Sequence, residues 1–392
     1  MSWRPAFLAA WMHPAWVHSL KTYERHISAA AMIGGFGFDN IAYGRVDRPV
    51  TQTLLIVYLG IAALSITVLH WLEAHQSWQA WVVVKLRAFL PALAQFVFGS
   101  LWSAFLVFYW RSGVVAGSWP FLIVLVAIFI GNEVFKKYHA RLVFTTTLFF
   151  FALISYAAFM VPVFTHTIGQ LTFLLSGVAS VAVFGLFLWL LNKISLGRLG
   201  EVKWQIAGGG VAVYAAITGL YYLNVLPPLP LAMQNLSVLH SICRVPPSSG
   251  ESIRCVGHPV ESLARAGNLY YRGMAEPAGW STWLGRPAVV HIEPGAQVIV
   301  FGAIFAPIKL NTTAFHIWQR YDDARGRWVT VQRVVHSLHG GREKGYRSYS
   351  FKTNPAPGRW RVDIVTVDGR LIGRTVFTVA NGAATGLVPV TL

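Results

Sequence analysis

Charge is scarce in this chain, and acidic charge is the scarcest. Only 12% of its 392 residues are Asp, Glu, Lys or Arg, against roughly 25% in a soluble domain. Asp and Glu number 15 against 32 Lys and Arg, a formal net charge of +17. A chain this apolar and this poor in charge is not an ordinary soluble domain; it reads as an integral membrane protein. Cysteine is nearly missing as well: Cys243 and Cys255 are the two present, both in the C-terminal part. Disulfides persist in oxidising compartments, so a Cys243–Cys255 bridge is expected if that part lies outside the cytoplasm.

Catalytic signatures are also missing. There is no GxSxG elbow, no P-loop, no Rossmann fingerprint after a strand, no CxxC and no HExxH or HxxxH. His26, His70, His75 and His139 gather at one level of the membrane half, but their spacing does not make a one-helix ligand pair, and a metal or haem needs converging ligands. No catalytic residue, metal site or cofactor is therefore assigned. Nor do the apolar segments show the Gly/Pro-broken pairs or the two-half repeat of many secondary transporters.

What the chain does have is length in its apolar runs. About 20 apolar residues cross a hydrocarbon core, and Thr51–Trp71, Ala88–Trp110, Trp119–Val134, Leu142–Phe164, Ile168–Leu191 and Trp204–Val225 reach or approach that. In lipid their backbones must bond internally, which predicts helices. The stretch Ile27–Tyr43 is shorter, Gly-rich and holds Asp39. If it also crosses, eleven Lys and Arg (the arm before it and the loops at Lys85, Lys136 and Lys193) fall on one side and three (Arg45, Arg48, Arg111) on the other. The positive-inside rule then predicts about seven spans, the N-terminus in the cytoplasm and the C-terminal part outside. Before that segment, Trp3, Phe7, Trp11 and Trp16 with His13, His18 and Lys21 read as an interfacial helix.

At Leu226 the texture changes. A Pro-rich exit, Leu226–Leu231, is followed by irregular text to about His258 and by helical spacing over Val260–Tyr271. Strand patterns then recur at Val289–Ile292, Gln297–Phe305, Ala314–Tyr321, Trp328–Val335, Tyr346–Lys352, Arg359–Val367 and Leu371–Val379. Turn chemistry separates most of them, as at Gly326, Gly340, Pro357 and Asp368. In RWRVDIVTV the alternation puts Trp360, Val362 and Ile364 on one face, then lapses at Val365, which predicts a bulge or a strand end covered on both faces. About seven short antiparallel strands make an all-β, immunoglobulin-like sandwich the expected fold, with Trp318, Trp328 and Trp360 in its core. The division is then a cytoplasmic interfacial arm (1–26), a transmembrane helical bundle (27–225), a disulfide-bearing connector with a short helix (226–285) and an extracytoplasmic sandwich (286–392).

Candidate sites follow from charge. His339–Arg347 (HGGREKGYR) sets three glycines around Arg342, Lys344 and Arg347. Glycine amides can approach an anion closely, and a basic hairpin also needs glycines at left-handed positions; both readings stay open. Ionisable groups within spans mark function by default, which singles out Asp39, Glu133 and Arg111, with ion pairing of Asp39 to Arg45, Arg48 or Arg111 and of Glu133 to Lys137 as the alternative.

The segments IFAPIKLNTTAFHIWQRYD, GGREKGYR, GxWRV and DGRLIGRTVFTV, preceded by GFGFDNIAYGRVDRP and GNEVFKKYHARL, resemble a bacterial multi-pass membrane family with a C-terminal β domain, filed as domain of unknown function 2914. The resemblance runs from about Gly34 onward and implies a bacterial inner-membrane location with a periplasmic β domain. It implies no activity, and no site residue is carried over from it. The reading is a non-enzymatic accessory or scaffold protein presenting a basic periplasmic domain to a protein partner, to anionic membrane lipid or to an envelope polymer, with no nucleic acid. A transporter or lipid-handling protein, and an enzyme on a lipid-linked or periplasmic substrate, stay open beside it.

Overall fold

The computed structural model describes residues 34, 36–37, 39–41, 43, 47–75, 81–112, 115–134, 141–194, 199–228, 230–246, 252–257, 270–277, 287–342 and 345–392. The interfacial arm before residue 27 lies outside them, as does most of the helix expected over Val260–Tyr271; Tyr270 and Tyr271 themselves are in a strand.

Each of the six apolar runs is a helix: α1 (Pro49–Ala74), α2 (Trp81–Ser112), α3 (Val115–Val134), α4 (Leu142–Thr165), α5 (Gln170–Ile194) and α6 (Leu199–Tyr222). Pro49 sits at the first position of α1, where its missing N–H costs nothing and its fixed φ suits the helix. Of these helices α1, α2, α4 and α5 are long and apolar enough to cross a membrane. The apolar stretch of α3, Ser118–Asn132, is shorter. Described residues between Gly34 and Ile41 are helical too.

Aromatic rings fill the bundle. Trp102 and Phe105 of α2 meet Phe151 and Phe159 of α4 at 5.2 and 5.7 Å, and Phe149 and Phe150 of α4 meet Phe187 and Phe184 of α5 at 4.7 Å each. Such pairs add about 0.5–1.5 kcal/mol beyond area burial. The glycine run at 208–210 allows close helix packing: a Cβ on Gly209 would sit 2.5 Å from Thr147 Oγ1 of α4. Facing outward on α5 are Leu171, Leu174, Leu175, Val178, Val181 and Leu186, a continuous apolar surface of the kind lipid tolerates and water does not.

Twelve strands among the described residues follow: β1 (Ala232–Leu239), β2 (Ser241–Val245), β3 (Arg254–Val256), β4 (Tyr270–Ala275), β5 (Ala288–Ile292), β6 (Gln297–Phe305), β7 (Asn311–Asp322), β8 (Arg327–His339), β9 (Tyr346–Thr353), β10 (Gly358–Thr366), β11 (Leu371–Asn381) and β12 (Val388–Thr391). They form three sheets, ordered β1-β6-β9, β5-β11-β10-β7-β8 and β12-β4-β2-β3. The seven strands expected between residues 289 and 379 are β5 to β11. Two expectations change. The stretch 226–258 that reads as irregular holds β1, β2 and β3, and the strands are not all antiparallel, because β5 pairs parallel with β11.

The first two sheets face each other across Val298 and Val300 of β6, Trp318 of β7, Trp360 and Val362 of β10 and Phe377 of β11. Trp318 and Trp360 are buried as expected, their rings 6.4 Å apart. Trp328 is not in the core: it is half-buried on the outside, against Tyr321 and beneath the Arg361 guanidinium. The lapse in RWRVDIVTV is both things it could be, a register shift between Ile364 and Val365 and a strand end buried on both faces. The third sheet covers the other face of β6, where Ile299, Phe301 and Ala303 pack against Leu239 and Ile242. Cys243 and Cys255 form the disulfide, joining β2 to β3 at directly opposed positions.

Candidate functional site

The bundle and the β domain meet at one end of the sandwich. Phe305, the last residue of β6, belongs to the bundle's aromatic core, and Ala232 at the start of β1 packs there as well. The β10–β11 turn reaches the end of α6. Its Arg370, buried, lays its guanidinium 3.5 Å from the Tyr221 ring and donates to the carbonyls of Tyr221 (3.1 Å) and Leu226 (3.3 Å). The Tyr221 carbonyl lies in the last turn of α6, where it also accepts from the Asn224 N–H at 3.1 Å, and Leu226 follows the helix; a cation at a helix C-terminus meets the negative pole of the dipole. Tyr221 is stacked on its other side by Phe173 of α5 at 3.7 Å. The turn itself follows from Asp368-Gly369, with Gly369 at φ 77. That turn is legible in the sequence; nothing in the residue order says the arginine after it is buried.

Hydrogen bonds from a charged donor contribute about 1.5–3 kcal/mol. Replacing Arg370 by Met, which keeps bulk and removes the donors, is therefore expected to loosen this junction while leaving both cores folded. Hydrogen exchange should rise at 221–228 and 366–371 and stay unchanged at Trp318 and Trp102. Unchanged protection at the junction would show that Arg370 does not hold it.

The basic loop lies at the same end. Strands β8 and β9 belong to different sheets, so the segment is a crossover, not the hairpin its glycines also fit. Those glycines serve the chain path: a Cβ on Gly340 would collide with the Pro307 carbonyl, and Gly341 and Gly345 have φ of 94 and 73. The cations are what remain for recognition. Arg342 is exposed, its guanidinium 5.5 Å from the Tyr346 ring, and Arg347 lies 5.7 Å over the ring of Tyr271 on β4. Burial pushes the Arg347 guanidinium below the ordinary arginine range, Tyr271 opposes that shift, and the Arg342 charge adds to it. Glu343 and Lys344 lie outside the described residues. Arg244 of β2 and Arg342 also act on Tyr271, so arginines from two sheets face one ring.

Of the intramembrane candidates, Arg111 and the turn that carries Asp39 are brought together. Arg111, in the last turn of α2, donates to the backbone carbonyls of Asn40 and Tyr43 and, at 2.8 Å, to Asn40 Oδ1. It thus caps the helical turn that carries Asp39, whose half-buried side chain faces Ser103. Glu133 is on α3; its side chain and both Lys136 and Lys137 lie outside the described residues. His70 and His75 make local contacts, to Glu73 Oε2 and to the Trp71 carbonyl, each at 2.9 Å.

Two further polar clusters sit in the β domain. Glu276, after β4, accepts from His240 Nε2 at 3.1 Å, from His291 Nδ1 at 2.9 Å and from the His291 backbone N–H at 2.5 Å. Burial alone would raise its carboxyl, but the bonds from His291 and His240 hold it below the usual value. A cavity of about 520 Å³ lies beside it, lined by His240, His291, Glu293 and Gln297. Between the facing sheets, Ser350 Oγ bonds both His316 Nδ1 and Trp318 Nε1 at 2.9 Å. Burial, with the His336 charge adding, pushes His316 down to about 3. With His316 and Ser350 both buried, this serine–histidine contact offers no substrate access and serves packing. Among the described residues no three His, Cys, Asp or Glu side chains are placed to hold a metal ion.

Residues 311–379 match the family described as Protein of unknown function (DUF2914). The match runs from β7 into β11, taking in both core tryptophans and the basic crossover, so the resemblance read in the sequence is shown over that segment; the helical bundle lies outside it. No curated protein matches the chain. Among solved structures, the Pseudomonas fluorescens alkylpurine DNA glycosylase AlkC bound to DNA containing an abasic site analog is similar at 9% identity and a TM-score of 0.21, covering 83% of this chain and 99% of that one. A likeness of that degree carries no argument about fold or function.

Proposed function

We propose that this protein is a non-enzymatic, multi-pass accessory protein of a bacterial inner membrane, whose periplasmic β domain is docked on the bundle and turns a basic edge to anionic lipid headgroups. One observation carries this reading: the end of the sandwich that packs on the bundle is also the end that holds the basic crossover. Arg347 pairs in register with Ala303, two residues from Phe305 in the bundle core, which at about 3.3 Å per residue is only about 7 Å along the strand. A cation at that level meets the negative surface potential of an anionic leaflet.

Seven spans with the arm inside are favoured by the eleven-to-three division of Lys and Arg, and an oxidising compartment for the β domain by the Cys243–Cys255 bridge. An immunoglobulin-like assignment is supported by strand order. The sequence β6 to β11 crosses between sheets after β6, β8 and β9 and pairs in hairpins at β7–β8 and β10–β11. That is the Greek-key order of such a sandwich, with Trp318 buried on the strand where those domains carry their core tryptophan.

Each cation near an anionic surface contributes about 1 kcal/mol, so changing Arg342, Lys344 and Arg347 together to Ser should weaken retention of phosphatidylglycerol by full-length protein about 100-fold. Native mass spectrometry against phosphatidylcholine at low and raised salt measures it. Retention that ignores both the triple change and the salt removes the reading.

A further inference from the structure

Sheet β12-β4-β2-β3 contains a juxtaposition that works against its own stability. Arg244 of β2 stands directly opposite Arg254 of β3, and on its other side directly opposite Tyr271 of β4. The three side chains therefore form one row on one face of the sheet. Like charges directly opposed in a sheet are destabilising, and both arginines are exposed. The neighbouring pair in the ladder is Cys243–Cys255, so the disulfide fixes the register that holds the two arginines directly opposite each other.

This row faces the middle sheet. Tyr271 meets Phe301 of β6 at 5.7 Å, and Arg347, which pairs with Ala303 on the same strand, lies 5.7 Å over the ring. Arg342 adds its charge: the charged groups acting on Tyr271 are Arg244, Arg347 and Arg342. Arg244 of β2, Arg342 of the crossover and Arg347 of β9 thus meet at Tyr271 between two sheets, toward the bundle, with Arg254 of β3 flanking Arg244 on the side away from the ring.

We propose that Arg244, Arg342 and Arg347 around Tyr271, with Arg254 beside Arg244, form a cleft for the phosphate of an anionic membrane lipid. The site rests on the membrane-surface reading above and gives it a ligand chemistry. Arginine is the side chain suited to it, since its planar fork binds phosphate oxygens two at a time. The bound phosphate would relieve the repulsion that the disulfide otherwise has to hold, and the tyrosine offers a flat face for the guanidinium groups that are not engaged.

The test uses full-length protein in mild detergent, with phosphatidate, phosphatidylglycerol and phosphatidylcholine as separate probes and inorganic phosphate as competitor. Retained lipid is read by native mass spectrometry and stability by thermal unfolding. Wild type should retain phosphatidate and phosphatidylglycerol over phosphatidylcholine and unfold at a higher temperature with them. Arg244→Gln with Arg254→Gln should bind the anionic lipids about ten-fold more weakly and, without lipid, be at least as stable as wild type because the repulsion is gone. If this double variant binds as wild type does while the crossover triple variant does not, the cleft is wrong and the basic edge stands. If neither variant changes retention, both fall. Millimolar inorganic phosphate that reproduces the whole stabilisation, with lipid adding nothing, overturns the lipid as the source of the phosphate.

Discussion

Truncating Trp360 to alanine is expected to destabilise the β domain by about 3 to 5 kcal/mol, the range for removing a large buried aromatic. Trp360 is 2% exposed and its ring meets that of Trp318, which in turn meets Phe377 at 6.2 Å. Its indole N–H donates to the Ala356 carbonyl at 2.8 Å, so the change leaves a cavity and an unpaired acceptor together. The same truncation at Trp328 is expected to cost far less, because that ring is half-buried on the outer face. Thermal unfolding of the full chain, followed by tryptophan fluorescence, compares the two. Equal losses would mean that the two faces of the sheet are assigned wrongly.

That contrast shows what patterning can and cannot reveal. Strands β7 to β11 are legible because their apolar residues largely alternate and AspGly, ProGly and GlyArg punctuate them, and β5 and β6 stand out as short apolar runs. Trp328 is the second residue of β8, and the register shift opposite Trp318 and Gln319 puts it out of phase with the rest of the strand, so its face could not be read from alternation. The third sheet is the larger omission. Strands β2 and β3 have five and three residues, too few for a period, and β1 is interrupted by a bulge between Met233 and Asn235. A signal was nevertheless present. QVIVFGAIF, the sequence of β6, is continuously apolar, and its burial on both faces is what a run without alternation means; something had to cover its second face.

The candidate site was half legible for a similar reason. Cation density marked the crossover at Arg342 and Arg347, but not Arg244 and Arg254 in another sheet. Their signal is the mirror order Cys243-Arg244 and Arg254-Cys255: a disulfide between directly opposed strands sets the flanking arginines opposite each other. Buried placement at Arg370 had no counterpart in the sequence, since its partners are backbone carbonyls 144 and 149 residues away.

The β domain should also be acid-labile well above the carboxylate range. His316 is fully buried and its ring is pushed down to about 3, first by burial and then by His336, whose ring is 4.4 Å away and is itself lowered by burial. In the unfolded chain histidine titrates near its ordinary value of 6.5. Between those limits the unfolded state binds the proton and the folded state does not. The stability linked to His316 is therefore complete above pH 6.5 and is lost as pH falls toward 3. Every pH unit that separates the folded from the unfolded titration corresponds to about 1.4 kcal/mol, which puts the total loss on the order of 3 to 5 kcal/mol. Glu276, held below its usual 4.5, has the same sign but acts in a lower window, below 4.5. Unfolding free energies from pH 7.5 to 4.5 thus isolate the histidines. His316→Gln with His336→Gln should flatten the profile over that interval, because glutamine can bond Ser350 without titrating. A slope as steep as wild type in the double variant would place the acid sensitivity elsewhere and leave the buried histidine without the role its environment gives it.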